Sequence, residues 1–242
     1  MLVGGALSII GFFVNRPQFG YSWLQNFMFF LALAVGSWFL LLMHHLFDAS
    51  WSVPVRRIIE SLTGLLPWLA VFFVPIYLLR RGIYPWLEML KTGDIDHALR
   101  AKAGLFSEKG FLIVTVLCFV LWWLNTMLLR GNSYKQDVDG SSRWTYKNRV
   151  AASWGIVIFA LSVTMASIMW MKSLQHQWYS TMYGVWYFAA SIWTAMFTVY
   201  VIAIALRDAG PLRSVLHPTH FYYMGSLMLA FTVTYRVDKT PD

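Results

Sequence analysis

Six stretches of the chain run nineteen or more residues without one Asp, Glu, Lys or Arg: 17–47, 61–79, 110–129, 150–171, 173–206 and 214–235. The 19 basic and 11 acidic side chains are confined to the segments around them. A hydrocarbon layer about 30 Å thick takes roughly 20 apolar helical residues to cross. No water reaches backbone N–H and C=O groups there, so only helices and closed barrels can span it. Barrel strands alternate apolar and polar positions over roughly 10 residues, a pattern that runs of this length exclude. The sequence therefore predicts an all-α, polytopic transmembrane bundle, folded as a single domain over 1–242.

Seven membrane segments are expected, near 2–14, 22–47, 61–80, 110–130, 150–172, 183–206 and 221–235. The first and last are short, so the count is six to seven. No basic n-region or small-x-small site marks the opening residues as a cleavable signal. Within 61–80, Pro67 and Pro75 each remove a backbone donor and tend to kink a helix. Between the spans, 48–60 reads as a short polar link, helical from Val53. Residues 81–109 include an amphipathic piece at Tyr84–Lys91, expected to lie along the interface. Residues 131–149, with Gly131, Asn132, Gly140, Ser141 and Ser142, read as a turn-rich extramembrane loop. Small residues recur four apart at Ala32 and Gly36, Ala151 and Gly155, and Ser191 and Ala195, a spacing that lets helices approach closely.

A net charge of +8 would suggest nucleic acid in a soluble protein. Here the basic residues flank apolar helices, where anionic headgroups are the natural counterpart. The implied partner is membrane lipid, with no nucleic acid. Trp23, Trp51, Trp86, Trp144 and Trp178 sit at or near run ends, as an interfacial belt requires. Lys and Arg divide ten to nine between the two sides, so charge does not orient the chain.

Chemistry-bearing residues are few. Cys118 is the sole cysteine and reads as a small buried hydrophobe. A membrane haem wants imidazoles from facing helices, but His44, His45, His97, His176, His217 and His220 all fall at helix ends or in loops. There is no phosphate-binding glycine loop, no Cys-x-x-Cys and no His-Glu-x-x-His. No cofactor or metal is expected in this chain. The spans carry no formal charge in their interiors, where a proton path normally leaves ionisable groups. What remains is a cluster at one membrane edge: His44, His45, Asp48, Arg56, Arg57 and Glu60. If the second span continues helically, His44 and Asp48 share a face, and Glu60 can pair with Arg56 or Arg57. The cluster reads either as an ionic tie between helix ends or as the mouth of a proton route relayed by Asp48 or Glu60. Ser37, Asn125, Thr126, Thr164, Ser167 and Thr194 could extend such a route, although Ser and Thr in spans more often bond a backbone carbonyl or a neighbour.

The segment His44-His45-Leu46-Phe47-Asp48-Ala49-Ser50-Trp51-Ser52, followed by Arg56-Arg57-Ile58-Ile59-Glu60, resembles a motif of one family. So does Ser173-Leu174-Gln175-His176-Gln177-Trp178-Tyr179-Ser180-Thr181-Met182-Tyr183-Gly184-Val185, and more weakly His220 with Gly225 and Phe231. The resemblance is to the ActF-type integral membrane subunit of alternative complex III, a bacterial quinol:cytochrome c oxidoreductase, and runs over most of the chain. It implies an NrfD/PsrC-like bundle in the bacterial cytoplasmic (inner) membrane, serving a respiratory or photosynthetic electron-transfer chain. The implied partners are a sister NrfD-like quinol-binding subunit, an iron–sulfur protein and multihaem cytochrome c subunits. Haem c and iron–sulfur clusters would reside in those partners. The chain itself would be a non-catalytic scaffold and candidate proton route.

Two departures stand out. The family carries an acidic residue shortly before the histidine of the second motif, whereas Gln175 and Gln177 flank His176 here, which argues against a relay role for His176. The chain also stops after a span that further helices would follow in the family, so a shortened form, or part of a longer protein, is expected. The competing reading is a stand-alone transporter or channel. It would need a midplane site built from a broken helix, and the Pro67/Pro75 segment is the candidate for the break.

Overall fold

A computed structural model describes residues 4, 8, 11–93, 95–102 and 104–237. Every regular element among them is helical. Helix α1, Arg16–Phe47, is 32 residues long, about 48 Å at 1.5 Å per residue. Asn15 starts it by accepting a hydrogen bond from the Gln18 backbone N–H at 3.2 Å, with Pro17 in the first turn, where its missing donor costs nothing. Asp48 ends it in a left-handed conformation, φ 47°. This helix is the post of the bundle. Of its most apolar window 78% is buried, against 28% for the span Trp51–Leu78 and 33% for Glu108–Asp139, which turn most of their surface outward.

Beyond α1 a 3-10 turn, Ser50–Val55, leads into α2, Arg56–Thr63, and α3, Leu66–Leu78. The span expected at 61–80 thus begins earlier, at Trp51. Its interruption lies at Gly64 and Leu65, not at a proline kink, because Pro67 occupies the first turn of α3. Short helices α4 (Arg80–Ile83), α5 (Pro85–Thr92) and α6 (His97–Ala101) follow. The Tyr84–Lys91 piece packs its apolar side on the bundle, with Tyr84, Trp86 and Leu87 almost completely buried, and keeps Glu88 and Lys91 exposed. The Tyr84 hydroxyl donates to the Trp170 carbonyl at 3.0 Å.

Helices α7, Glu108–Asp139, and α8, Ser142–Trp170, form a long antiparallel hairpin. Its connection is Gly140, at φ 65°, and Ser141. Residues 131–149, expected as a loop, are therefore almost wholly helical. The polar composition marks the exposed end of a helix pair, and Gly140 supplies the positive φ the turn needs. After a 3-10 turn at Lys172–Gln175 come α9, Tyr183–Asp208, and α10, Pro218–Val237. Among the described residues, five helical segments are long and apolar enough to cross a membrane: Arg16–Phe47, Trp51–Leu78, Glu108–Asp139, Ser142–Trp170 and Tyr183–Asp208. The protein is multi-pass on that basis. The segment expected at 221–235 is helical within α10 but does not join those five. The expected first span, 2–14, lies largely outside the described residues.

Small residues set the closest contact. A Cβ on Gly36 would stand 2.0 Å from the Ser191 carbonyl oxygen and 2.9 Å from the Ala195 Cβ. The Ala32/Gly36 and Ser191/Ala195 pairs thus face each other where α1 crosses α9. Ala151 and Gly155 serve the junction of α8 with α1 and α7, where Gly155 abuts Leu42 and Asn125. Around Trp170 an aromatic cluster gathers Phe27, Phe73, Phe119 and Trp122, with ring centroids 4.7–5.9 Å away. Such ring pairs contribute about 0.5–1.5 kcal/mol each beyond their burial.

Gly36→Val should destabilise the bundle by at least about 3 kcal/mol, because the obstacle is backbone and not a movable side chain. Gly131→Ala, whose added Cβ meets nothing within 4 Å, should gain about 0.5–1 kcal/mol from helix propensity. Unfolding of both variants in detergent measures the two shifts.

Candidate functional site

The edge residues gather where α1 ends and α2 begins. Glu60 is 1% exposed. Its carboxylate pairs with Arg57, lies 3.5 Å from Arg56 Nε and accepts the Ser133 hydroxyl at 2.6 Å. Arg57 donates to Ser133 Oγ at 3.2 Å and pairs with Asp137, which also meets Arg56 at 3.5 Å. Both expected partnerships of Glu60 are therefore present, and α7 completes them. Ser133 and Asp137 were not foreseen, because 131–149 was expected to be a loop. Their four-residue spacing on a helix was the signal that could have found them. Burying a carboxylate is costly unless it is paired and hydrogen-bonded, and Glu60 has two guanidinium groups and a hydroxyl. Beside it, the Arg130 guanidinium lies against Gly64, where an added Cβ would approach it to 2.1 Å. That absent side chain is what admits Arg130 at the α2–α3 break.

His44, His45 and Asp48 diverge from that centre. The chain leaves the helix at Asp48, so the expected i,i+4 pair with His44 does not form. The Asp48 side chain instead reaches outward to Arg149 on α8. His44 turns inward and its Nδ1 lies 2.7 Å from Ser52 Oγ. The Ser52 hydroxyl donates to the Ala49 carbonyl at 2.9 Å. Its single proton is thereby used, which makes His44 Nδ1 the donor to Ser52. His45 is buried beside Asn148, with the side-chain nitrogens 3.5 Å apart. The six residues thus tie the end of α1 to the 3-10 turn, to α2, to α7 and to α8.

His176 stands at the opposite end of the bundle, among α6, α8 and the turn that precedes α9. Its Nε2 is 2.9 Å from Asp96 Oδ2, which also accepts from Gln177 Nε2 at 3.0 Å. The other carboxylate oxygen of Asp96 caps α6, accepting the Leu99 N–H at 2.7 Å. The acidic partner missing from the sequence next to His176 is supplied from a residue eighty positions earlier. No local pattern could have announced it. Hydrogen bonds from Gln177, from the Leu99 backbone and from His176 hold the Asp96 carboxyl down at about 2.

Most polar groups inside the bundle are turned to structural use; the Thr126 hydroxyl, fully buried, has no hydrogen-bond partner among the described residues. Ser37, Thr164, Ser167 and Thr194 donate to carbonyls of their own helices at 2.7–2.8 Å. Trp38 Nε1 donates to Asn125 Oδ1 at 2.7 Å, while Asn125 Nδ2 donates to the Ala151 carbonyl at 3.0 Å, linking α1, α7 and α8. Cys118 is buried against the Ser162 carbonyl, 3.6 Å away. The His217 backbone N–H donates to His220 Nδ1 at 3.0 Å, while the His217 ring Nδ1 lies 3.2 Å from Thr219 Oγ1. Among the described residues, no group of three or more His, Cys, Asp or Glu side chains could hold a metal ion.

Searches against protein-family models and against curated proteins find no match to this chain.

Two variants test the edge network. Ser133→Ala should cost about 1 kcal/mol and Glu60→Ala about 3 kcal/mol, the latter by leaving guanidinium groups without their carboxylate. The double variant should cost less than the sum, since both act in one network, and thermal unfolding in detergent reads all three. At the other end, Asp96 titrates below its ordinary 3.8 when folded. It therefore adds stability above about pH 4 that fades as pH falls toward 2. An acid unfolding series should lose that component in Asp96→Asn.

Proposed function

We propose that this chain is the ActF-type, NrfD/PsrC-like membrane subunit of a bacterial quinol:cytochrome c oxidoreductase, alternative complex III, in the cytoplasmic membrane. In this reading its bundle has six to seven membrane segments and acts as a scaffold without a redox centre of its own. A sister NrfD-like subunit binds quinol, an iron–sulfur protein accepts the electrons, and multihaem cytochrome c subunits carry them onward.

The observation that carries the reading is how the two motif segments are used. His44, His45, Asp48, Arg56, Arg57 and Glu60 all engage neighbouring helices, and His176 engages Asp96. Residues of this kind at helix ends fit the architecture of a packed subunit better than a substrate path. The outward faces of α3 and α7, with Val71, Phe72, Val74, Ile113, Val116, Leu117 and Val120 exposed, suit lipid or a second bundle. A midplane carrier site would need unpaired polar backbone around a cavity. The break at Gly64–Leu65 is instead filled by the Arg130 side chain, which packs against Gly64.

Mild-detergent isolation of the tagged chain from native membranes, with a reduced-minus-oxidised spectrum and mass spectrometry, tests the assignment. Stoichiometric multihaem cytochrome c, an iron–sulfur protein and a second polytopic subunit are the expected result. A colourless chain recovered alone that drives substrate flux in liposomes would overturn it. Within the assembled complex, Asp48→Asn should leave proton-coupled turnover unchanged, because Asp48 points outward to Arg149. A clear drop in proton uptake per electron, with assembly intact, would make Asp48 a relay instead.

A further inference from the structure

The α7–α8 hairpin ends in a piece of structure that the rest of its own chain does not use. Among the described residues, the hydrogen bonds and ring contacts of residues 138–146 all stay within the hairpin. Trp144 Nε1 donates to Asp139 Oδ2 at 2.6 Å, the Ser141 N–H to Asp139 Oδ1 at 3.0 Å, and Gln136 Nε2 to Thr145 Oγ1 at 2.8 Å. These bonds fasten the tip in one shape around the Gly140 turn. It also stands clear of the membrane. From Gly131 to Asp139, α7 rises about 13 Å past its charge-free run. Headgroups add only roughly 5–7 Å on each side of the hydrocarbon, so the tip lies in water.

Lys135, Arg143 and Lys147 give the tip its charge. Among the described residues none of the three makes an ion pair. The two carboxylates of the hairpin are engaged elsewhere: Asp137 by Arg56 and Arg57, Asp139 by Trp144 and Ser141. Even with Asp139 counted against them, the three cations leave the tip net positive. Lys135 and Lys147 both rest on the Trp144 ring, 5.1 and 4.4 Å from its centroid, so one ring holds both ammonium groups close together. Like charges held close repel, and a facing anion relieves that repulsion. Val138 and Tyr146, in the same short segment, are 90% and 68% exposed. Cations without partners beside bare apolar side chains are the materials of a protein interface with a charged rim.

We propose that the end of the α7–α8 hairpin is a docking point for an acidic surface of a water-soluble protein. Lys135, Arg143 and Lys147 meet its carboxylates, and Val138 and Tyr146 supply the apolar contact. A second copy of the chain would bring the same positive charge and be repelled. Lipid phosphates lie below the tip and leave Val138 uncovered. Charge arranged in this way steers encounter and fixes orientation more than it adds affinity. The inference rests on the reading of the chain as a subunit of an assembly with water-soluble members, and it names the surface that holds one of them.

The test places the photo-crosslinker p-benzoylphenylalanine at position 138 of the tagged chain, irradiates native membranes and isolates the chain in mild detergent. Mass spectrometry of the crosslinked peptide should identify one water-soluble partner, joined within a segment in which Asp and Glu outnumber Lys and Arg. Arg143→Glu should cut the crosslink yield about tenfold, while Arg143→Lys should keep it. The Arg143 side chain makes no hydrogen bond or ion pair among the described residues, so the melting temperature of both variants should stay that of the wild type. A crosslink to lipid or to a second copy of the chain, a neutral or basic partner segment, or an unchanged yield in Arg143→Glu would each overturn the proposal. Recovery of the assembly with no crosslink at position 138 would overturn it and leave the subunit reading standing. A chain recovered alone would overturn both.

Discussion

Lipid tails are as apolar as leucine, so spanning helices gain little by hiding apolar surface from them. Their association depends on how closely backbones approach and on what polar contacts form between them. In this chain the governing approach is that of α1 to α9, where Gly36 leaves no room for a side chain above the Ser191 carbonyl. That crossing fixes α1 at the centre, with Leu31, Ala34, Val35 and Trp38 wholly buried. Helices α2, α3 and α8 also lie directly on α1, while α7 reaches it through the Trp38–Asn125 hydrogen bond. Trp122, Trp170 and Tyr187 add further hydrogen bonds between helices, while most serines and threonines of the interior are used locally. A serine or threonine returning its hydroxyl to a carbonyl of its own helix asks nothing of its surroundings. Asn125, which cannot do so, joins three helices instead.

The ionisable groups divide between the two ends of the bundle. At one end Glu60 is sealed under two arginines and a serine. At the other Asp96 gathers His176, Gln177 and the first turn of α6. Both are single carboxylates organising several donors, and both join segments distant in sequence: Glu60 to Ser133, and Asp96 to His176. Such ties resist the sliding of one helix past another, which contact between apolar faces alone does not.

The spans were legible because a charge-free run leaves a chain few alternatives. The α1, α7, α8 and α9 cores fall where the runs placed them. Span ends were harder, since helical propensity continues where hydropathy stops. Gly131 and Asn132 looked like a turn, yet they lie within α7, and the chain reverses only at Gly140. The small-residue pairs at Ala32/Gly36 and Ser191/Ala195 showed that something packs closely without showing what faces what. In the edge cluster the pairing of Glu60 with its neighbours in α2 was visible at helical spacing, while its third tie, from Ser133, depended on tertiary packing. Asp96 carried no sequence signal, because its role depends on the chain returning to it eighty residues later.

The α7–α8 hairpin runs on beyond the apolar part of its helices, nine residues from Gly131 to Asp139, or about 13 Å at helical rise. It is a short stiff mast, stepped in the bundle and stayed to one side by the pairing of Asp137 with Arg57 and Arg56. Those side chains are partly open to water, so the stay is electrostatic and screened by salt. Its tautness therefore varies with ionic strength, whereas the foot of the mast, held by Trp and Asn hydrogen bonds in the apolar interior, does not. Trp144, clasped between Lys135 and Lys147 at the masthead, is thus supported by a foot that salt does not screen and a stay that it does.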